Sequence, residues 1–155
     1  MATTLTVYLG VWPRAYILQV GDSRCYLLRE GRLTQITRDQ TMAQELVDLG
    51  ALNPQDAQRT RLAHTLSSSI GGKQSSPVVS EFEMTWGTVV LLCSDGLVNH
   101  VSDARIHERL LSMQSARQAC EDLLQDALEG GGSDNITIIV GRAFPGEADT
   151  SGSPA

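Results

Sequence analysis

The sequence has 155 residues, 41% of them apolar and 19% charged, which places it among folded globular chains and outside the low-hydrophobicity regime of disorder. A chain of this length buries about 68–70% of its unfolded surface, as one domain or most of one, so neither a metal nor a disulfide is needed to account for folding. Its net charge is −6 and its 12 Lys and Arg residues are scattered, which excludes nucleic acid as an expected partner because phosphate neutralisation needs gathered cations.

Residues 3–11 and 15–20 are rich in β-branched and aromatic side chains and flank the turn Trp12-Pro13-Arg14, so a hairpin is expected. Residues 24–29 and 33–36 give a second strand pair around Glu30-Gly31-Arg32, where Gly31 can supply a positive φ. The chain is thus expected to open as an antiparallel meander. From 40 to 49 the apolar positions Met42, Leu46, Val47 and Leu49 predict a helix stopped by Gly50, and Asn53-Pro54 begins a shorter one. Residues 60–76 carry mixed signals: Ser67-Ser68-Ser69 and Gly71-Gly72 argue for loop, while Leu62, Leu66 and Ile70 recur every four residues.

Residues 78–84 and 88–93 are again strands, and the run Val89-Val90-Leu91-Leu92-Cys93 predicts a central strand buried on both faces. Ser102 is the expected N-cap of a helix through Leu111, and Ser115 with Gln118 makes a capping box for the next one. On that helix Ala116, Ala119, Cys120, Leu123, Leu124, Ala127 and Leu128 share one face, and Gly130-Gly131-Gly132 ends it. Residues 136–140 predict a last buried strand, and the Pro/Gly/Ser-rich tail 145–155 is expected to be disordered. The odd, widely spaced Cys25, Cys93 and Cys120 read as buried free thiols of a reducing compartment. No stretch of about 18 apolar residues occurs, so no membrane partner and a cytoplasmic location are expected.

Three acidic residues sit where apolar strands meet turns: Asp22 after Gly21, Asp95 after the run 89–93, and Asp134 before the last strand. A carboxylate held at the rim of a core is costly unless a cation or hydrogen bonds offset its charge. Converging aspartates favour hard ions such as Mg²⁺ and Mn²⁺ over zinc. Taken singly, each is more simply a turn former: Asp22-Ser23 shaping a turn, Asp95-Gly96 a strand-to-helix cap, Asp134-Asn135 opening a strand.

The combination is more specific. The ordered segments Gly21-Asp22-Ser23-Arg24-Cys25-Tyr26-Leu27, Leu33-Thr34-Gln35-Ile36-Thr37-Arg38-Asp39, Leu91-Leu92-Cys93-Ser94-Asp95-Gly96-Leu97 and Gly131-Gly132-Ser133-Asp134-Asn135-Ile136-Thr137 resemble the bacterial form of the metal-dependent protein serine/threonine phosphatases, type 2C, over residues 3–144. The resemblance implies an α+β fold, a four-layer α/β/β/α sandwich of two antiparallel sheets flanked by helices. It implies two Mn²⁺ or Mg²⁺ ions that promote hydrolysis of phosphoserine or phosphothreonine in a protein substrate, and a cognate serine/threonine kinase as a further partner. Asp95 and Asp134 match carboxylates of the two-metal centre, and Asp22 matches an aspartate that, with the Asp95 equivalent, holds a third, weaker metal. Asn135 is expected to anchor its loop. Residues 38–62 correspond to a flap beside the active site, in which Gln40-Thr41 stands where many relatives have His-Ser. His64 and His100 are assigned no catalytic role.

The family's first half, with an early Asp, an Asp-Gly-x-Gly-Gly motif and a phosphate-binding Arg, has no counterpart in the sequence. The expectation is therefore the C-terminal part of such a domain, residues 1–144 with the N-terminal portion missing and Met1 an internal methionine or truncation point. Such a chain is expected to be inactive alone and to self-associate through open faces of the strands at 3–11 and 88–93. The alternatives are a non-catalytic phosphatase-like binding module and a stand-alone small domain whose acidic turns are structural.

Overall fold

The computed structural model describes residues 2–57 and 59–145. Met1 and the tail expected over 145–155, apart from Pro145, lie outside the described residues. The strands are β1 (Leu5–Val11), β2 (Arg14–Val20), β3 (Arg24–Arg29), β4 (Arg32–Gln35), β5 (Val78–Glu83), β6 (Val89–Cys93) and β7 (Ile138–Arg142). The helices are α1 (Met42–Asp48), α2 (Pro54–Ala57), α3 (Asp95–Val98), α4 (Asp103–Leu111) and α5 (Ala116–Glu129), with a 3-10 turn at Arg61–His64 inside the segment of mixed signals.

The strands form two antiparallel sheets, ordered β1-β2-β5 and β4-β3-β6-β7. The expected meander is therefore two hairpins on different sheets, because the chain crosses from one sheet to the other at Gly21-Asp22-Ser23, between β2 and β3. Gly21 takes φ 106, and a Cβ there would stand 2.4 Å from the Thr4 side chain, so the crossing needs a residue without one.

Two apolar layers result, and β3 and β6 serve both. Cys25, Leu27 and Val90 face the other sheet, where they meet Ala15, Ile17 and Met84. Tyr26, Leu28, Val89, Leu91 and Cys93 face the helices, where they meet Leu97, Ile106, Leu110, Ala119 and Leu123. Double-sided packing is why the run at 89–93 is apolar throughout. It also corrects one expectation: β6 is not an open face, since β3 and β7 flank it and α3 packs on it. β7, expected as a buried strand over 136–140, is instead an edge strand starting at Ile138, with every second residue exposed.

Local signals set the helix ends. Ser102 and Ser115 accept hydrogen bonds from the amides of Arg105 and Gln118, each capping its helix. The capping box is not closed as expected: the Gln118 side chain accepts from the Gln114 amide, one residue before the cap. Thr41 caps α1, and Gly50 follows it at φ 69. On α5 only Ala119, Leu123 and Ala127 are buried, while Leu124 and Leu128 lie at the solvent edge of the apolar face. Cys25 and Cys93 are buried and Cys120 is half-buried, all three as free thiols; burial pushes the first two up to about 12.

The larger helices gather on the four-stranded sheet, with α5 against β7 and α4 against β3. On the outer face of the other sheet Leu5, Val7, Leu9 and Val11 point outward, each 42–57% exposed. No helix among the described residues is long and apolar enough to cross a membrane.

Candidate metal centre

Strand register brings the acidic turns together. Arg24 at the start of β3 pairs with Cys93 at the end of β6, and Cys93 pairs with Ile138 at the start of β7. The residues just outside those pairs, Asp22, Asp95 and Asp134, therefore emerge at one end of the four-stranded sheet.

A cleft of about 870 Å³ opens there, lined by Asp22, Asp95, Asn99 and Asp103 on the sheet side and by Thr41, Gln44, Val47 and His64 opposite. Asp22 is half-buried, and its carboxyl is pushed up to about 6, first by burial and then by the neighbouring charge of Asp95. Two like charges in a partly dry cleft repel, and a cation or a proton relieves that repulsion. Asp134 stands apart: Ser133 lines the cleft, but the Asp134 side chain is exposed and accepts a 2.7 Å hydrogen bond from the Asn135 amide. Among the described residues no three His, Cys, Asp or Glu side chains gather closely enough to enclose an ion by themselves.

Polar tethers that sequence alone does not reveal fix the Asp22 turn. Buried Gln19 donates to the carbonyls of Gly21 and Arg38, both at 3.0 Å. Gln40 accepts from the Gly21 amide at 2.7 Å and donates to Ser76 at 2.8 Å. Gln40 thus joins the turn to the start of the segment 38–62. Below it Arg24 holds Asp39 through two nitrogens, at 2.9 and 2.7 Å, and donates to the Tyr26 hydroxyl, which donates to Asp103. Asp39 and its Arg are largely buried, so the pair is a structural floor for the cleft and not a free cation. Nothing in the spacing of 24, 26, 39 and 103 could have announced this network.

Asp95 opens α3 directly after β6. Its neighbour Ser94 does not cap that helix with its side chain; the hydroxyl donates to the Asn135 carbonyl at 3.1 Å and accepts from the Thr137 amide at 3.0 Å. Asn135 thus meets Ser94 through its backbone. The tempting histidines divide: His64 lines the cleft mouth, and His100 bonds the loop at 130–133.

The strained Asp22 charge makes a stability prediction. Its folded pKa lies above the ordinary carboxylate value of 3.8, so ionisation opposes folding, and metal-free stability should rise as pH falls from about 7 to about 4. Asp22→Asn should stabilise the metal-free chain at pH 7 by about 1–2 kcal/mol, discounted for solvent screening, and flatten that pH dependence. Thermal unfolding of both chains across this range checks it; a destabilised Asn variant would mean that the ionised carboxylate serves the turn.

No family model matches the chain. Its sequence is 42% identical to the serine/threonine protein phosphatase PstP of Mycobacterium tuberculosis over 140 residues, 90% of this chain and 27% of that protein. It is 34% identical to the serine/threonine phosphatase stp of Listeria welshimeri over 143 residues, 90% of this chain and 56% of that one. The crystal structure of the M. tuberculosis phosphatase superposes with a TM-score of 0.86 at 39% identity, covering 92% of this chain and 60% of that chain. A catalytic domain of PstP in complex with two manganese ions superposes with a TM-score of 0.82 at 40% identity, covering 94% and 60%. The chain thus spans between 27% and 60% of the length of these relatives. The two antiparallel sheets with flanking helices agree with the architecture that the sequence motifs implied.

Proposed function

Because the chain belongs to the metal-dependent protein serine/threonine phosphatase family, we propose that it forms part of a catalytic domain that hydrolyses phosphoserine and phosphothreonine in proteins. The observation that carries this reading is the Asp22–Asp95 pair, two carboxylates sharing one cleft at the end of a rigid sheet. Hard oxygen donors of this kind suit Mn²⁺ or Mg²⁺, and a cation beside them would offset the charge that now opposes Asp22 ionisation. When bound, such ions supply Lewis acidity, which activates water and neutralises phosphoryl oxygens.

The chain's own residues then have separable tasks. Asp95 and Asp22 hold cation charge at the cleft floor, and Asp134 offers a third carboxylate from the loop beside Ser133. The Arg24–Asp39–Gln35 network keeps the floor in place without exposing a competing charge. Residues 38–62, which wall the cleft opposite the aspartates, act as the flap that selects the substrate, within a domain part spanning 1–144. The substrate is a protein phosphorylated by a serine/threonine kinase, and a cytoplasmic location fits that pairing.

A second reading, a phosphatase-like module that binds without turnover, is favoured by one observation: among the described residues no three His, Cys, Asp or Glu side chains stand close enough together to hold an ion. The test assays phosphothreonine peptide hydrolysis in millimolar Mn²⁺, by the chain alone and by a chimera in which it replaces the matching part of the M. tuberculosis catalytic domain. The chain alone should be inactive, and the chimera should be active and dependent on Mn²⁺ and on Asp95. A folded but inactive chimera would favour the module, and robust turnover by the chain alone would contradict the incomplete centre.

The exposed row Leu5, Val7, Leu9 and Val11 supports self-association of this chain. The double variant Val7→Lys, Leu9→Lys should lower the mass measured by light scattering at the same concentration. A parent chain that is already monomeric would refute the association.

A further inference from the structure

The loop that carries Asp134 is pinned to the segment that carries Asp95 at two points, and the second has no place in the family motifs. The first is Ser94, just before Asp95, whose backbone and hydroxyl reach Asn135 and Thr137. The second is His100, which follows the short helix that Asp95 begins. Its Nδ1 lies 3.1 Å from the Gly130 carbonyl, and its Nε2 accepts the Ser133 amide at 3.2 Å, with the Ser133 hydroxyl 3.0 Å away. A carbonyl can only accept and an amide N–H can only donate, so the ring is neutral, with its proton on Nδ1. The triple glycine fits this arrangement: a Cβ at Gly130 would stand 2.7 Å from the His100 carbonyl oxygen, and one at Gly131 would stand 3.3 Å from the ring. The loop lies flat on the histidine because it has no side chains to hold it off.

We propose that His100 is a positioning residue: by bridging Gly130 and Ser133 it sets the loop at 130–134, and with it the Asp134 carboxylate, relative to Asp95. Ser94 and His100 bracket Asp95 in the chain, and their partners bracket Asp134, so each aspartate sits between two fixed points. The role rests on the metal reading of the preceding section, and it adds a residue that reaches the centre only through Asp134.

Two measurements on the full chain test it. Hydrogen exchange of the Ser133 amide in metal-free protein should quicken about tenfold in His100→Phe, which keeps a ring of similar size and loses both bonds. In His100→Gln, whose amide can supply an acceptor near the Nε2 position, it should return towards the parent rate. Mn²⁺ affinity should fall about tenfold in His100→Phe, as for loss of a residue that orients a ligand. The same substitution should change nothing in an Asp134→Asn background, because the residue it acts through is gone. Unchanged Ser133 exchange, or an equal loss of affinity in both backgrounds, overturns the proposal, the latter pointing to general loosening. A parent chain that binds no Mn²⁺ overturns the metal reading and the positioning role together. If His100→Phe fails to fold, the same comparison is made with His100→Gln, whose Mn²⁺ affinity should stay within about threefold of the parent.

Discussion

The Asp95→Asn chain is expected to fold as the parent does and to bind no Mn²⁺ at millimolar concentration. Asp95 is the shared member of the proposed centre: it lines the cleft beside Asp22, and its segment is the one to which the Asp134 loop is tied. Removing it leaves Asp22 and the exposed Asp134 without the carboxylate between them, too little to offset the loss of ion hydration. The fold should not suffer, because the substitution also removes the like charge that raises Asp22. A Mn²⁺ titration with circular dichroism on both chains reads the two effects separately. Asp134→Asn should weaken binding and not abolish it, since that side chain is exposed and stands outside the cleft lining.

Gly96→Ala should destabilise the chain by about 2 kcal/mol, a fall in melting temperature of about 4–8 °C. A Cβ at position 96 would stand 2.4 Å from the Asn135 carbonyl oxygen and 3.0 Å from its carbon, backbone atoms that Ser94 already holds in place. Neither side can yield cheaply: α3 packs on β6, and Leu97 is fully buried in the helix-side core. The displaced group would be the loop of Asp134, so Mn²⁺ affinity should drop along with stability. Thermal unfolding checks the first effect, and a melting temperature within about 1 °C of the parent would show that the two segments are free to separate.

Much of this architecture is legible in the sequence because the signals are local. β-branched runs, the Gly50 stop and the serine caps at 102 and 115 depend on neighbours within four residues, and the structure places those elements within a few positions of expectation. The division of the first four strands between two sheets is not local; it follows from which hairpin finds β5 and which finds β6, more than 50 residues later. The stripe on α5 shows the limit of periodicity, since Leu124 and Leu128 share its face and yet project beyond the layer that buries Leu123.

The candidate site divides in the same way. Asp22 and Asp95 are legible because each ends an apolar segment in a recognisable motif. Arg24–Asp39, Gln19 with Arg38, and His100 with Ser133 are not, because each pairs groups 15 to 33 positions apart whose partners are backbone atoms or ordinary surface residue types. The spacing of the sequence could nominate the acids and could not say that one of them, Asp134, projects to solvent.

Crystals of the chain soaked in Mn²⁺ and measured at the manganese absorption edge should show an anomalous peak in the cleft within coordinating distance of both Asp22 and Asp95. The peak should lie about 2.0–2.6 Å from a carboxylate oxygen of each, by analogy with other hard divalent ions, and should be lost in Asp95→Asn crystals. Manganese bound only elsewhere, or a peak that persists unchanged without the Asp95 carboxylate, would contradict the proposed metal centre.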